Sequence, residues 1–497
     1  MQVPSLLQSL TVRDQISTMQ TQLRDLQTQL ATGKKATTHA GLGVDASLVL
    51  DLRANINVMD GYIRTINQTD LRLTTTQQVL TRVDDIAAEL RTASLTSGYE
   101  TLDTKQTQLQ YTAQERLEET LALLNTEIGG RHLFGGAATQ TEPVDKYSLV
   151  MDGDVGIAGF KQIVTERAQA DLGADNRGRL AIPVPGAASV TVTEDNAPPF
   201  GLKLDAVSTD LNGVTAGIAG SPQVLTVDFT ATLPTPGQTL DVSFTLPDGT
   251  SETITLTAIT SGTPGEGEFL VGADENATAT NFQTALATSV EKLAQTSLKA
   301  ASAQRAATEF FEFDAANPPQ RVDGPPFTTA TALVDATAAD TVFWYNGDTA
   351  TTPIRNSALA KIADGRTIGY ASRADESPIR DTVKALAVLA ALEFPEADTY
   401  SQEAYGEATK RVGDKFSFQG VTSLADVRTQ LGLKEVSLAT TKERHERTIN
   451  ATQQLLAESE NADTNEVGAM LLQLQNQLTA SYNATSIISR MSLTNFI

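Results

Sequence analysis

The 497-residue sequence contains no cysteine, a single tryptophan and only 5% aromatic residues. Without cysteine, disulfides, thiolate metal sites and cysteine nucleophiles are excluded. So few aromatics argue against one large aromatic core and suit long helices with Thr-rich strands. Cations are also in the minority: 37 Lys and Arg against 60 Asp and Glu, a formal charge of -23. Such a surface repels phosphate and anionic headgroups, so nucleic acid is not expected as a partner. Long hydrophobic runs are missing too. Residues 467 to 489 carry no charge, but Gln473, Gln475, Asn476, Gln477 and Asn483 would be costly in hydrocarbon, and no membrane insertion is expected. The opening residues, Met1 to Leu7, have neither a basic region nor a sustained apolar run, which gives the expectation of no cleaved signal peptide.

The pattern that is present is helical at both ends. Val12, Ile16, Met19, Leu23, Leu26 and Leu30 recur at alternating spacings of four and three, a heptad stripe on a helix stopped near Gly33. Asp45 is a candidate N-cap for a second helix with Leu52, Ile56, Met59, Ile63, Ile66, Leu73 and Leu80 in register. Asp70, Gln77 and Asp84 interrupt that register, so the stripe must rotate towards Val83, Ile86 and Leu90. A third helix is expected over Leu109, Leu117, Leu121, Leu124 and Ile128, stopped by Gly129 and Gly130. Near the other end, Ser423 with Asp426 opens a helix whose seam is Leu424, Leu431, Leu438, His445 and Thr452. Asp463 with Glu466 opens the last, carrying Val467, Leu471, Leu474, Leu478, Tyr482 and Ile488.

Between them the pattern changes to short strands and turns. Leu240 to Leu246 and Ile254 to Ala258 alternate around Pro247-Asp248-Gly249-Thr250, a β-hairpin signature. Leu225 to Leu233 reads as a further strand, and Phe282, Leu286, Val290 and Leu293 as a helix able to cover the sheet. Pro318, Pro319, Pro325 and Pro326 suggest a stiff linker, followed by a strand at Thr341 to Tyr345 and a helix opening at Pro378. The expected fold is α+β: a long antiparallel helical bundle formed by both chain ends, with strand-rich modules inserted in the middle. The expected divisions are 1–45, an assembly helix and loop; 46–136, the N-terminal part of the bundle; 137–420, two outer modules at about 140–315 and 326–420; 421–462, the C-terminal part of the bundle; and 463–497, a second assembly helix.

Residues 1 to 32 carry only Arg13, Asp14, Arg24 and Asp25 as charges, and 467 to 497 only Arg490. An isolated helix with a narrow stripe and an uncharged remainder gains little alone in water. Pairing the two terminal helices satisfies one face of each, and the uncharged faces left over can pack on other copies without desolvating ions. Intramolecular bundle packing accounts for the stripes as well, and the low charge favours assembly.

Catalytic and metal-binding patterns are lacking. His39, His132 and His445 are dispersed, and Arg444-His445-Glu446-Arg447 is not a His-Glu-x-x-His helix. Gly41-Leu-Gly-Val-Asp-Ala46 follows a helix, not a strand, so it is no dinucleotide fingerprint. The acidic turn Met151 to Asp154 lacks calcium-loop spacing. Neither an enzyme nor a cofactor is expected.

Leu26-Gln-Thr-Gln-Leu-Ala-Thr-Gly-Lys-Lys35, with Gly33 and Lys34 at its turn, resembles the flagellin superfamily where its first helix ends. Gly129-Gly130-Arg131-His132-Leu133-Phe134-Gly135-Gly136 resembles the Gly-Arg-Tyr-Leu-Phe-Gly-Gly signature common in hook-associated protein 3, the hook–filament junction branch of that superfamily. Leu478 to Ser486 and Met491 to Ile497 are similar to its terminal helix. Ala36 to Val44 departs from the usual loop, and His132 stands where Tyr is common. The resemblance implies export through the flagellar type III channel and extracellular assembly with itself, as a ring or helical array. It also implies partners among flagellin, hook-associated proteins and an export chaperone. A filament subunit, a filament-displayed binding module and an unrelated cytosolic helical protein are the alternative readings.

Overall fold

The computed structural model describes residues 3–102, 106–195, 199–314, 316–350, 353–415 and 422–494, with the side chains of 3–9, 415 and 488–494 outside that description. The fold is α+β, with long helices at both ends and a strand-rich middle. In chain order, α1 spans Val3–Thr32, α2 Asp45–Thr96 and α3 Gln108–Leu124. The middle opens with α4 (Tyr147–Asp152), β1 (Gly153–Asp154), β2 (Ile157–Ala158) and α5 (Phe160–Leu172). Eight strands follow: β3 (Leu180–Ala181), β4 (Ser189–Glu194), β5 (Lys203–Thr209), β6 (Val214–Ala219), β7 (Val224–Phe229), β8 (Thr239–Thr245), β9 (Ser251–Ile259) and β10 (Glu268–Leu270). Then come α6 (Glu275–Leu293), α7 (Lys299–Phe311), β11 (Gln320–Val322), β12 (Leu333–Asp335), β13 (Leu359–Ala363), β14 (Arg366–Gly369), α8 (Ser377–Ala391) and α9 (Ser401–Lys415). The chain returns to long helices in α10 (Leu424–Glu460) and α11 (Thr464–Thr494).

Two compact units divide the chain. One comprises 1–68, 361–367 and 436–497, the other 69–360 and 368–435. In the first, α1 packs antiparallel on α11, since Gln20 meets Tyr482 while Lys34 bridges to Asn461. The expected start of α2 at Asp45 shifts by one position: Asp45 is its first helical residue, where a carboxylate still complements the helix dipole. Within this unit Tyr62 of α2 stacks on His445 of α10, ring centroids 5.5 Å apart. His445 is buried, and its Nε2 donates to the Ile362 carbonyl at 2.7 Å. The histidine that broke an apolar seam is therefore a satisfied packing residue.

In the second unit, two four-stranded sheets, ordered β10-β9-β8-β5 and β3-β4-β7-β6, share one apolar core with α6. The hairpin read from alternation is β8–β9, pairing Leu240 with Leu256 and Val242 with Ile254. Gly249 turns it at φ 82, and the Leu246 amide donates to the Thr250 carbonyl at 2.8 Å. Phe282 of α6 lies edge-on to Phe229 and Phe269, closing the core as the sequence spacing implied. The strand expected to reach Leu233 stops at Phe229, one position before the Thr230 amide makes a last in-register bond to the Gly213 carbonyl.

Three expectations give way here. The proline-bracketed segment is not a linker: β11 and β12 pair as a ladder, and Val322 and Ala330 bury against Ala170 and Phe200. Thr341 to Tyr345 is not a continuous strand but makes isolated bridges to Ala158 and Val144, while Trp344 is fully buried with its Nε1 donating to Phe311 O at 3.0 Å. The third helix ends at Leu124 rather than at Gly129. There the Asn125 side chain is drawn off to Val144, donating to its carbonyl at 2.8 Å and accepting from its amide at 3.0 Å.

The polar interruption in α2 is resolved by α10 inside this same unit. Thr69 and Thr76 carry the buried stripe, each hydroxyl being small enough to pack, while Asp84 pairs with Arg428 at 3.2 Å. Gln77 and Asp70 face Glu435, whose carboxyl is pushed above its ordinary value by burial and then by Asp70. Ser423 and Asp426 form the reciprocal cap at the start of α10, each amide donating to the other's side chain at 2.8 and 3.2 Å.

Candidate assembly interface

The terminal helix pair is built from stripes too narrow to form a core alone. Ile16, Met19, Leu23 and Leu26 of α1 are half-buried, and Val467, Leu474 and Leu478 of α11 are buried with Leu471 half-buried beside them. Two of the expected seam positions fall outside the buried stripe. Leu30 is 44% exposed, because Gln29 turns inward in its place and donates to the Lys35 carbonyl at 2.8 Å. Tyr482 is 48% exposed, with its hydroxyl accepting from Gln20 Nε2 at 2.6 Å. The Ile488 side chain lies outside the described residues.

A polar clasp fastens the turn after α1 to the break between α10 and α11. Gly33 holds φ 67, a left-handed conformation that costs glycine little. Its carbonyl accepts from the Ala462 amide at 3.0 Å, and the Lys35 amide donates to Glu460 O at 2.7 Å. The Glu460 carboxylate is buried and takes Arg53 at 2.6 Å and Lys34 at 3.3 Å, while Lys34 also donates to Asn461 Oδ1. Burial alone would raise that carboxyl, but the hydrogen bonds from Lys34 and Arg53 outweigh it and hold it below its ordinary value. The helix start at Asp463 was legible in the sequence. The pairing of Glu460 with Arg53 was not, since nothing local marks a residue of α2 as the counter-ion.

The face that α11 shows to solvent from Val467 to Ile487 is free of charge, whereas α1 exposes Arg13, Asp14, Arg24 and Asp25. Leu472 is 63% and Ile487 58% exposed, and Leu10 and Met470 stand out beside them. Exposed large hydrophobics concentrate in this smaller unit: twelve of the twenty-one exposed on described residues belong to it. On α11 the described side chains from Val467 to Ile487 include no Asp, Glu, Lys or Arg. Apolar side chains left in water at this density mark a surface suited to partner helices, at about 1.5 to 3 kcal/mol per side chain fully buried.

The Gly129–Gly136 motif lies in the other unit and forms a tight double turn. Gly129, Gly130 and Gly136 hold φ 61, 75 and 63. Leu133 and Phe134 are buried, and the Phe134 carbonyl accepts from Ala374 at 2.9 Å while the Gly136 amide donates to Ser372 O at 3.1 Å. A Cβ at Gly135 would meet Ala138 O at 2.5 Å. The motif is thus a packing device against residues 372–374. His132, in the tyrosine's place, points its Nδ1 at the Asn125 carbonyl, 3.1 Å away. Arg131 makes no side-chain hydrogen bond or ion pair with any described residue.

The three histidines do not converge, and no group of three His, Asp or Glu suited to a metal occurs among the described residues. Among them, too, no helix is long and apolar enough to cross a membrane.

Residues 3–139 match the family model described as the bacterial flagellin N-terminal helical region. The matched span holds α1, α2, α3 and the glycine-rich motif, and it supports a place for this part of the chain in the flagellin superfamily. No curated protein matches the sequence.

Proposed function

We propose that the protein is a structural subunit of the bacterial flagellum that assembles through its paired terminal helices outside the cell. The observation that carries this reading is the α1–α11 pair itself, whose inner stripe is satisfied within the chain while α11 from Val467 to Ile487 is uncharged and exposes Met470, Leu472 and Ile487. The match of residues 3–139 to the flagellin N-terminal region supports the same reading from an independent side. Its role is structural rather than enzymatic, with no cofactor. Export proceeds through the flagellar type III channel, escorted by a chaperone, and the partners are further copies and other axial proteins.

Within this class the glycine-rich motif, Gly129 to Gly136, favours the hook–filament junction. A deletion strain examined by electron microscopy tests it: intact hooks with flagellin secreted but unassembled is the expected phenotype. The flagellin description of the matching family model favours the second reading, a filament subunit. A gel of purified filaments in which this chain dominates would decide for the filament.

A further inference from the structure

Arg131 is the unabsorbed residue of the glycine-rich motif, and it is not alone. Arg131 and His132 line a small notch with Arg72 of α2, Thr139 and Tyr370. The space is about 20 Å³, room for an oxygen-sized group or two. Arg72 Nη1 reaches the Tyr370 hydroxyl only at 3.4 Å, and its buried Nε has no hydrogen-bond partner. No Asp or Glu lines the notch. In a chain with 60 acids against 37 Lys and Arg, two arginines lining one notch without a carboxylate call for an explanation. A guanidinium stays charged and presents a fork that matches a carboxylate in two bonds.

We infer that the notch is a receptor for a carboxylate side chain of a second copy of this chain. The occupant follows from charge. Every copy carries a net -23, so neighbouring copies repel over most of their surfaces and supply carboxylates in excess. A recessed basic notch turns that repulsion into attraction at one defined register, which is how charge complementarity selects geometry. The turn at Gly129 and Gly130 presents Arg131 on backbone that no neighbour crowds, since a Cβ on either glycine would meet nothing within 4 Å. This inference rests on the self-assembly reading above.

The test compares full-length wild type with Arg131→Ala, Arg131→Glu and Arg72→Ala, following assembly by sedimentation and folding by thermal melting. The Arg131 side chain makes no hydrogen bond or ion pair with any described residue, so its two variants should melt with the wild type while their critical concentration for assembly rises about tenfold, the loss of one charge-assisted contact. Arg131→Glu should be the worse. Unchanged critical concentrations for all three variants, with wild type assembling, overturn the inference and leave the self-assembly reading standing. Failure of the wild type itself to assemble removes both. Inorganic phosphate at fixed ionic strength separates a free anion from a second copy: an Arg131-dependent rise in the melting point of dilute protein, without any effect of the substitutions on assembly, would assign the notch to a small anion instead.

Discussion

Gln20 and Tyr482 stand 462 positions apart, yet the Gln20 amide donates to the Tyr482 hydroxyl at 2.6 Å. That bond sits on the exposed side of the α1–α11 pair and fixes its register where apolar contact alone would tolerate sliding. Tyr482 thereby offers a ring to solvent and an oxygen to its neighbour, a division suited to a side chain at a contact surface.

Leu474 lies on the buried side of the same pair, and Leu474→Asp places a carboxylate among Val467, Leu478 and the α1 stripe. We expect loss of about 3 kcal/mol or more in the stability of the terminal pair, together with loss of assembly. Circular dichroism and sedimentation of the same sample measure both. A control at the exposed Leu472, changed to Asp, should abolish assembly yet leave the stability within about 1 kcal/mol of wild type.

Glu460 governs the pH response of the clasp. Its carboxyl is held below its ordinary value by Lys34 and Arg53, so the folded state releases that proton more readily than the unfolded chain. The stability it contributes is complete above the unfolded Glu value and is lost as pH falls through the depressed folded value. The protection factors of the Lys35 and Ala462 amides should therefore fall in acid, and those of Glu460→Gln should already be low at neutral pH with little further change on acidification.

The sign reverses at Glu435. Burial and the neighbouring Asp70 raise its carboxyl, so protonation favours the folded form and stability increases as pH falls through the raised value. Glu435→Gln is expected to raise the melting point at pH 7 and to remove that part of the pH dependence. A melt of the variant that is lower than wild type at pH 7 would count against this account.

Glycine substitutions separate strain from crowding in the motif. Gly130 and Gly136 both adopt positive φ, but a Cβ at Gly130 meets nothing within 4 Å, whereas at Gly136 it lies 3.0 Å from Asp348 Cβ and 3.1 Å from Arg373 Cγ. Gly130→Ala should cost about 1 kcal/mol, the left-handed penalty alone. Gly136→Ala adds displacement of Arg373, for about 2 to 3 kcal/mol in all. Denaturant titrations of the two variants give the comparison directly.

Periodicity alone determined much of this protein. The heptad stripes placed α1, α2, α10 and α11, the Ser423 and Asp463 signals marked two helix starts, and the alternation around Pro247 to Thr250 defined the hairpin, because these patterns depend on residues near one another in the chain. Helices α5, α7 and α9 were not read, since their buried faces carry residues such as Arg167, Gln304 and Arg411 that a search for apolar spacing passes over. Their burial depends on distant partners: Arg167 pairs with Glu309, 142 positions away, and Arg411 with Asp248. The prolines of the β11–β12 segment suggested a linker because proline marks turns, while the packing of Val322 on Phe200 is a tertiary matter. The assembly face shows the same division. Scarce charge on the terminal helices was written in the sequence, but only the tertiary structure decided that Leu30 and Tyr482 turn to solvent and that Arg53 closes on Glu460, because which face of a helix is covered depends on what is brought against it.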